Sequence, residues 1–157
     1  MNIQIRPPNP GDVNYLLDID LKCFEDNWSL AEWKHQLEIC DGSLLVGAQS
    51  KMPIGLVMWN KDKITRIAVK PSYRHLGVGS KLLEAVEREL RQQGCQHISI
   101  DVPESFCCPR KPMDISIWLL KRKFRAQTLM VLAATFCGVK EDAIRFVKLL
   151  SETTKHG

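Results

Sequence analysis

Ile67-Ala68-Val69-Lys70-Pro71-Ser72-Tyr73-Arg74-His75-Leu76-Gly77-Val78-Gly79-Ser80 is an apolar run that ends at a proline, crosses a turn with two glycines and enters a helical pattern. The helix runs from about Val78 to Gln93, with Leu82, Leu83, Val86 and Leu90 at three- and four-residue spacing. Gly94 marks its stop. The head of a helix carries backbone N–H groups without intrahelical partners and the positive end of the helix dipole. A glycine-bearing turn at that head suits a phosphate group, because Gly77 and Gly79 let a ligand reach the backbone where a Cβ would obstruct it. Arg74 adds positive charge at the mouth. Two other phosphate loops fail on spacing. A Walker loop ends in Gly-Lys-Ser/Thr, whereas the residues here are Gly79-Ser80-Lys81. A dinucleotide fingerprint needs a third glycine where Leu82 stands. The plain alternative is a helix capped through glycines with no ligand.

The strand pattern His97 to Val102 follows at once. Strand, helix and strand predict a right-handed crossover that makes Ile64–Val69 and His97–Val102 parallel neighbours. Glu84/Arg88 and Glu87/Arg91 are i,i+4 pairs expected on the wet side of the helix. Upstream, Leu44–Gln49, Ile54–Trp59 and Ile64–Val69 are separated by short polar links, which predicts an antiparallel meander. Before them come a short strand around Ile3 and Ile5 and two helices. The first has Asp12 as N-cap and Val13, Leu16, Leu17, Leu21 and Phe24 on its apolar side. The second opens at the capping-box pattern Ser29-Leu30-Ala31-Glu32 and has Leu30, Trp33 and Leu37 on one apolar face. Downstream, a helix is expected over Met113–Lys123, a strand over Gln127–Ala133 and a final strand over Asp142–Leu150. The result is one α+β domain spanning residues 1–157.

The 157 residues carry 22 Lys+Arg against 18 Asp+Glu, a net charge of +4 that suits an anionic ligand but is a weak argument for nucleic acid. At 45% hydrophobic and 25% charged residues, the chain has the balance of a globular protein rather than a disordered one. No apolar run reaches the roughly 18–20 residues of a membrane helix. The start, MNIQIRPPNP, has no signal-peptide core, so the six cysteines, Cys23, Cys40, Cys95, Cys107, Cys108 and Cys137, are expected as reduced thiols in a cytoplasm. There is no C-x-x-C, and the four histidines show no ligand spacing, so no metal is expected.

Arg-x-x-Gly-x-Gly after an "A-V-x-P-x-Y" strand end, at the head of a long helix, resembles motif A of the GNAT superfamily of acetyl-CoA-dependent N-acetyltransferases. Cys23-Phe24, Asn27-Trp28-Ser29, the strand Ile98-Ser99-Ile100-Asp101-Val102 and Lys140-Glu141-Asp142-Ala143-Ile144 extend the likeness to the ribosomal-protein-alanine N-acetyltransferase subfamily. The resemblance implies a mixed, mostly antiparallel sheet of about seven strands, splayed centrally and flanked by about four helices. It implies that the pantetheine of acetyl-CoA lies along Ile67, Ala68 and Val69, and that the N–H groups of Arg74, His75, Leu76, Gly77, Val78, Gly79 and Ser80 hold the pyrophosphate. It also implies direct transfer to a primary amine, on a protein N-terminus or a small molecule. A base must deprotonate the incoming ammonium, since only the neutral amine has a lone pair to attack with. Asp101 occupies the place of the subfamily's catalytic Glu, one methylene shorter, with Glu104 and His97 as fallbacks.

The sequence departs from the subfamily after the fifth strand. Residues 106–111 look inserted, the motif Asn falls at Pro112, and the motif Tyr, the usual general acid, becomes Leu119. The motif Gly-Phe falls at Lys123-Phe124, and the tyrosines that often line the acceptor groove fall at Ala133-Ala134. These departures keep a second reading open, a CoA-binding module with little or no transferase activity. Arg110, Lys111, Lys121, Arg122, Lys123 and Arg125 form a basic cluster that reads as a solvated face, a contact for the CoA 3′-phosphate or an acidic acceptor, or, last, a nucleic-acid contact. Trp28, Trp33, Trp59 and Trp118 read as packing rather than a substrate cage.

Overall fold

The computed structural model describes residues 2–24, 27–47, 52–104, 115–136 and 139–150, in two compact units, Met1–Glu89 and Leu90–Gly157. The first unit opens with β1 (Gln4–Arg6) and a 3-10 turn (Pro10–Asp12) that leads into α1 (Val13–Cys23). Asp12 precedes α1 as expected, yet its carboxylate does not cap that helix. It accepts the Asn9 N–H at 2.6 Å and takes both prongs of Arg6, Nη1 to Oδ2 at 2.7 Å and Nη2 to Oδ1 at 2.9 Å. The Arg6 guanidinium holds this carboxyl below the usual carboxylate range, against the upward push of its burial.

The buried residues of α1 are Leu16, Ile19 and Asp20, whereas Leu21, expected to face inward, is 67% exposed. The inward stripe thus passes through an acid that an apolar-only reading skips. α2 (Leu30–Ile39) starts as its capping pattern predicts, with Ser29 Oγ accepting the Glu32 N–H at 3.1 Å, and it buries Trp33 completely.

β2 (Gly42–Gly47), β3 (Pro53–Asn60) and β4 (Lys63–Val69) make the expected antiparallel meander, and β1 adds to β2, giving the order β1-β2-β3-β4. β3 is buried from Pro53 to Trp59 without alternation, because both its faces are covered. Leu56 and Met58 pack with Leu16, Ile19, Trp33 and Ala68. On the opposite face lies the first part of α3 (Val78–Gln92). A Cβ at Gly55 would stand 3.4 Å from Leu82 Cδ1 and 2.9 Å from the Ala68 carbonyl, so glycine there lets α3 approach. Glu87 of α3, expected on the wet side, is only 4% exposed.

The second unit takes the end of α3, β5 (His97–Pro103), α4 (Ile115–Lys121), β6 (Arg125–Phe136) and β7 (Val139–Leu149). Its strands run antiparallel in the order β5-β7-β6, so the run read as a final strand is one. Gly94, at φ +84°, closes α3: its N–H bonds the Arg91 carbonyl at 3.0 Å and the Cys95 N–H bonds that of Leu90 at 2.9 Å. α4 stops the same way with Lys123 at φ +74° in the glycine's place, its N–H on Leu120 at 3.1 Å and the Phe124 N–H on Leu119 at 3.1 Å. Among the described residues, seven strands and four α-helices give the α+β, mostly antiparallel architecture expected. The insertion at 106–111, with Cys107, Cys108, Arg110 and Lys111, lies outside the described residues, as do Pro112 and Cys137.

Candidate functional site

β4 leaves the sheet at Val69 and passes through a 3-10 turn (Pro71–Tyr73) to the head of α3. His75 has φ +63° and Gly77 φ +82°, both left-handed. For His75 that conformation is strained, and such strain collects at binding turns. The Lys81 N–H is bonded to the Gly77 carbonyl at 3.1 Å, so the helical ladder starts there and the N–H groups of residues 78 to 80 lead it. Nothing lies within 4 Å of the place a Gly77 Cβ would take. Val78 buries its side chain, whereas His75 and Leu76 are exposed. A turn with left-handed residues at the head of a helix presents N–H groups and a positive dipole end, a backbone shape fitted to an anion.

The edge of β4 has its own polarity. The Lys70 N–H bonds the Ile54 carbonyl at 2.8 Å, and Ala68 pairs with Leu56. By the two-residue period, Ala68 turns its peptide groups toward β3, and Ile67 and Val69 turn theirs away. Ala68 is therefore closed to an extended, amide-bearing ligand, because its peptide groups are engaged with β3. The Val69 carbonyl already accepts from Arg74 Nε at 2.9 Å and from the Cys23 thiol at 3.3 Å. Arg74 thus folds back onto the strand end and braces the turn. Burial pushes the Cys23 thiol pKa up, with Arg74 partly opposing.

Beside this strand end is an arrangement the sequence reading did not assemble. Arg66 of β4 donates Nε to Asp20 Oδ1 at 3.1 Å and also bonds it through Nη2. Asp20 Oδ2 accepts the Trp28 N–H at 2.9 Å and Trp33 Nε1 at 3.4 Å. The guanidinium carbon lies 4.2 Å from the ring centroids of both Phe24 and Trp28. The one signal in the sequence is Asp20 itself, four residues after Leu16 on the inward stripe of α1.

In the second unit, Asp101 of β5 faces Arg145 of β7, its register partner. The guanidinium takes both carboxylate oxygens, Nε to Oδ1 at 2.8 Å and Nη2 to Oδ2 at 3.1 Å. The Asp101 side chain is 17% exposed. His97 and Glu104 are exposed at the two ends of this strand. Leu119 is fully buried and offers no proton. Ala133 is exposed. In the basic cluster, Arg122 stacks on Trp118 at 4.3 Å and bonds its carbonyl at 3.1 Å, while Lys121, Lys123 and Arg125 are exposed. Among the described residues, no group of three or more His, Cys, Asp or Glu could hold a metal, and Cys23, Cys40 and Cys95 are free thiols. No helix there is long and apolar enough to cross a membrane.

The fold is shared with solved acetyltransferases. The ribosomal-protein-S18-alanine N-acetyltransferase from Escherichia coli superposes with a TM-score of 0.77 at 18% identity, over 98% of this chain and 97% of that one. Ard1 from Thermoplasma volcanium gives 0.82 at 16%, over 97% and 100%. NAA60 from Arabidopsis thaliana, in complex with a bisubstrate analogue, gives 0.74 at 20%, over 94% and 98%. A search of curated proteins finds no match to the sequence. The sequence model of the acetyltransferase (GNAT) family matches residues 13–105, which include the turn at Arg74–Ser80 and β5, and the chain belongs to that family.

Proposed function

We propose that this acetyltransferase moves an acetyl group from acetyl-CoA to a primary amine, on a protein N-terminus or a small molecule, in one ternary complex. The observation that carries the reading is the left-handed turn at the head of α3, next to a strand end whose Ile67 and Val69 peptide groups point away from β3. Two solved relatives bear on the co-substrate: one structure of Arabidopsis thaliana NAA60 is in complex with acetyl-CoA, and one of the NatC complex is bound to Gag peptide and CoA. In this reading the N–H groups from Arg74 to Ser80 hold the pyrophosphate, and the Ile67 peptide groups and the Val69 N–H pair with the pantetheine amides. Ala68 contributes by packing the strand rather than by hydrogen bonding.

The amine nitrogen attacks the thioester carbonyl carbon. The C–N bond forms, the C–S bond breaks, and the thiolate leaves with or without a proton. Asp101 is the proposed base. The Arg145 fork fixes the orientation of its carboxylate, which in this reading takes the ammonium proton directly or through water. Residues 1–157 form one catalytic domain in this reading, and the protein works in the cytoplasm without a metal.

The buried Leu119 favours a second reading, a CoA-binding module with little or no transferase activity. One experiment separates them. Thermal stability is measured with and without CoA, and thiol release from acetyl-CoA is followed with an alanine-initiated peptide, spermidine and tyramine. Stabilisation with amine-dependent thiol release supports the transferase. Stabilisation without release supports the module. Neither effect removes both.

A further inference from the structure

We propose that Arg66 is a positioning residue whose guanidinium, seated between Asp20, Phe24 and Trp28, fixes the end of α1 against the strand that presents Ile67 and Val69, so that acceptor binding depends on it while acetyl-CoA binding does not. The inference rests on the proposed transferase function.

Arg66 immediately precedes Ile67, so its backbone belongs to the proposed pantetheine strand while its side chain leaves the opposite way. The guanidinium meets three kinds of partner: the Asp20 carboxylate, the faces of Phe24 and Trp28 at 4.2 Å, and more distantly Trp33 at 5.8 Å. Trp28 and Trp33 meet edge to face at 4.8 Å. A planar cation is attracted to each ring face and to the carboxylate, so one group holds Asp20 of α1, Phe24 at its end and Trp28 ahead of α2. Asn27 tightens the same arrangement, with Nδ2 on the Asp20 carbonyl at 2.9 Å and on the Phe24 carbonyl at 2.8 Å. One turn of α1 further on, Cys23 touches the Val69 carbonyl. Phe24 and Trp28 are therefore held beside Arg66 and Ile67, at the end of the 67–69 stretch farthest from the pyrophosphate turn, where the thioester of a ligand lying along Ile67 and Val69 would arrive. An amine approaching it passes residues that Arg66 holds in place. Arg74 of the pyrophosphate turn meets the end of α1 at the Val69 carbonyl it shares with Cys23, whereas the Arg66 guanidinium is engaged by Asp20, Phe24 and Trp28, so removing it leaves the turn's own bonds in place.

The aromatic box gives a direct test. Arg66→Ala removes the cation and leaves a carboxylate and two ring faces shaped for a guanidinium ion. In this variant the KM of the amine acetylated by the parent is expected to rise about tenfold or more, while stabilisation by CoA persists. Millimolar guanidinium chloride, against sodium chloride at the same ionic strength, is expected to restore the KM and to shift tryptophan fluorescence. An unchanged KM, or a loss of CoA stabilisation in step with the rise in KM, overturns the proposal. Where Arg66→Ala does not fold, the double variant Asp20→Asn/Arg66→Met removes both charges together, and a parental acceptor KM in it overturns the proposal equally. If the parent acetylates no amine, the function reading fails and this one with it. If the parent is active and only the Arg66 effects are missing, this inference alone fails.

Discussion

Arg145 takes both oxygens of Asp101 from the neighbouring strand, Nε to Oδ1 at 2.8 Å and Nη2 to Oδ2 at 3.1 Å, across a register pair of β5 and β7. Asp101→Asn is expected to lower the transfer rate by roughly the 10²–10⁴ of a lost general base, with CoA stabilisation intact. Arg145→Gln removes the fork that orients the carboxylate and is expected to lower kcat less than Asp101→Asn does, again with CoA stabilisation intact. A kcat that ignores both substitutions places the base elsewhere.

Gly77→Ala tests the turn at the head of α3. The methyl group meets open space, so the fold persists, with a strain of about 1 kcal/mol from φ +82°. The same methyl would stand where the proposed pyrophosphate must approach, and CoA affinity is expected to fall at least tenfold by calorimetry. A bulky residue at Gly79 is expected to abolish binding altogether. Undiminished binding in both variants would remove the pyrophosphate from this turn.

The fold was legible where local chemistry decides it. The meander, α3 with its Gly94 stop and the turn at Arg74–Ser80 follow from period, caps and glycines, which act over a few residues. The side-chain constellations were not legible, because each joins distant residues. Asp20 and Arg66 stand 46 apart in sequence, and Asp101 and Arg145 stand 44 apart. An acid on an inward stripe and an arginine on a strand look like surface residues until the partner is known. Leu21 reads as part of the stripe because it is apolar, although the spacing from Leu16 points to Asp20.

Lys123 sits at φ +74° in a helix stop that glycine makes without strain, in the place where the resembling subfamily has glycine. An L-residue in that conformation costs about 1–2 kcal/mol, partly offset by the greater freedom of a glycine in the unfolded chain. Lys123→Gly is therefore expected to stabilise the protein by about 0.5–1 kcal/mol in urea unfolding, with an unchanged m-value. Lys123→Ala keeps the strain and should give no gain. Equal stabilisation by Ala and Gly would show that the lysine side chain, not φ, is the burden.

The ion pair of Arg6 and Asp12 makes a signed prediction in acid. Asp12 is nearly buried, accepts the Asn9 N–H and is held below the usual carboxylate range chiefly by the Arg6 guanidinium. A carboxyl with a depressed folded-state pKa binds its proton more readily in the unfolded chain. Its contribution to stability is thus complete above the unfolded value, near pH 4, and is lost as pH falls through the lower folded value. The Arg6 side chain is 40% exposed, so solvent screens the pair and Arg6→Met should cost only about 1 kcal/mol at pH 7. That difference from the parent is expected to shrink below about pH 4 and to vanish once Asp12 is protonated in both states. High salt at pH 7 should narrow it as well, since part of it is Coulombic. Denaturant unfolding of parent and Arg6→Met from pH 2 to 8 measures the gap directly. A gap that stays flat into acid would mean that Arg6 stabilises β1 and the following turn by packing alone.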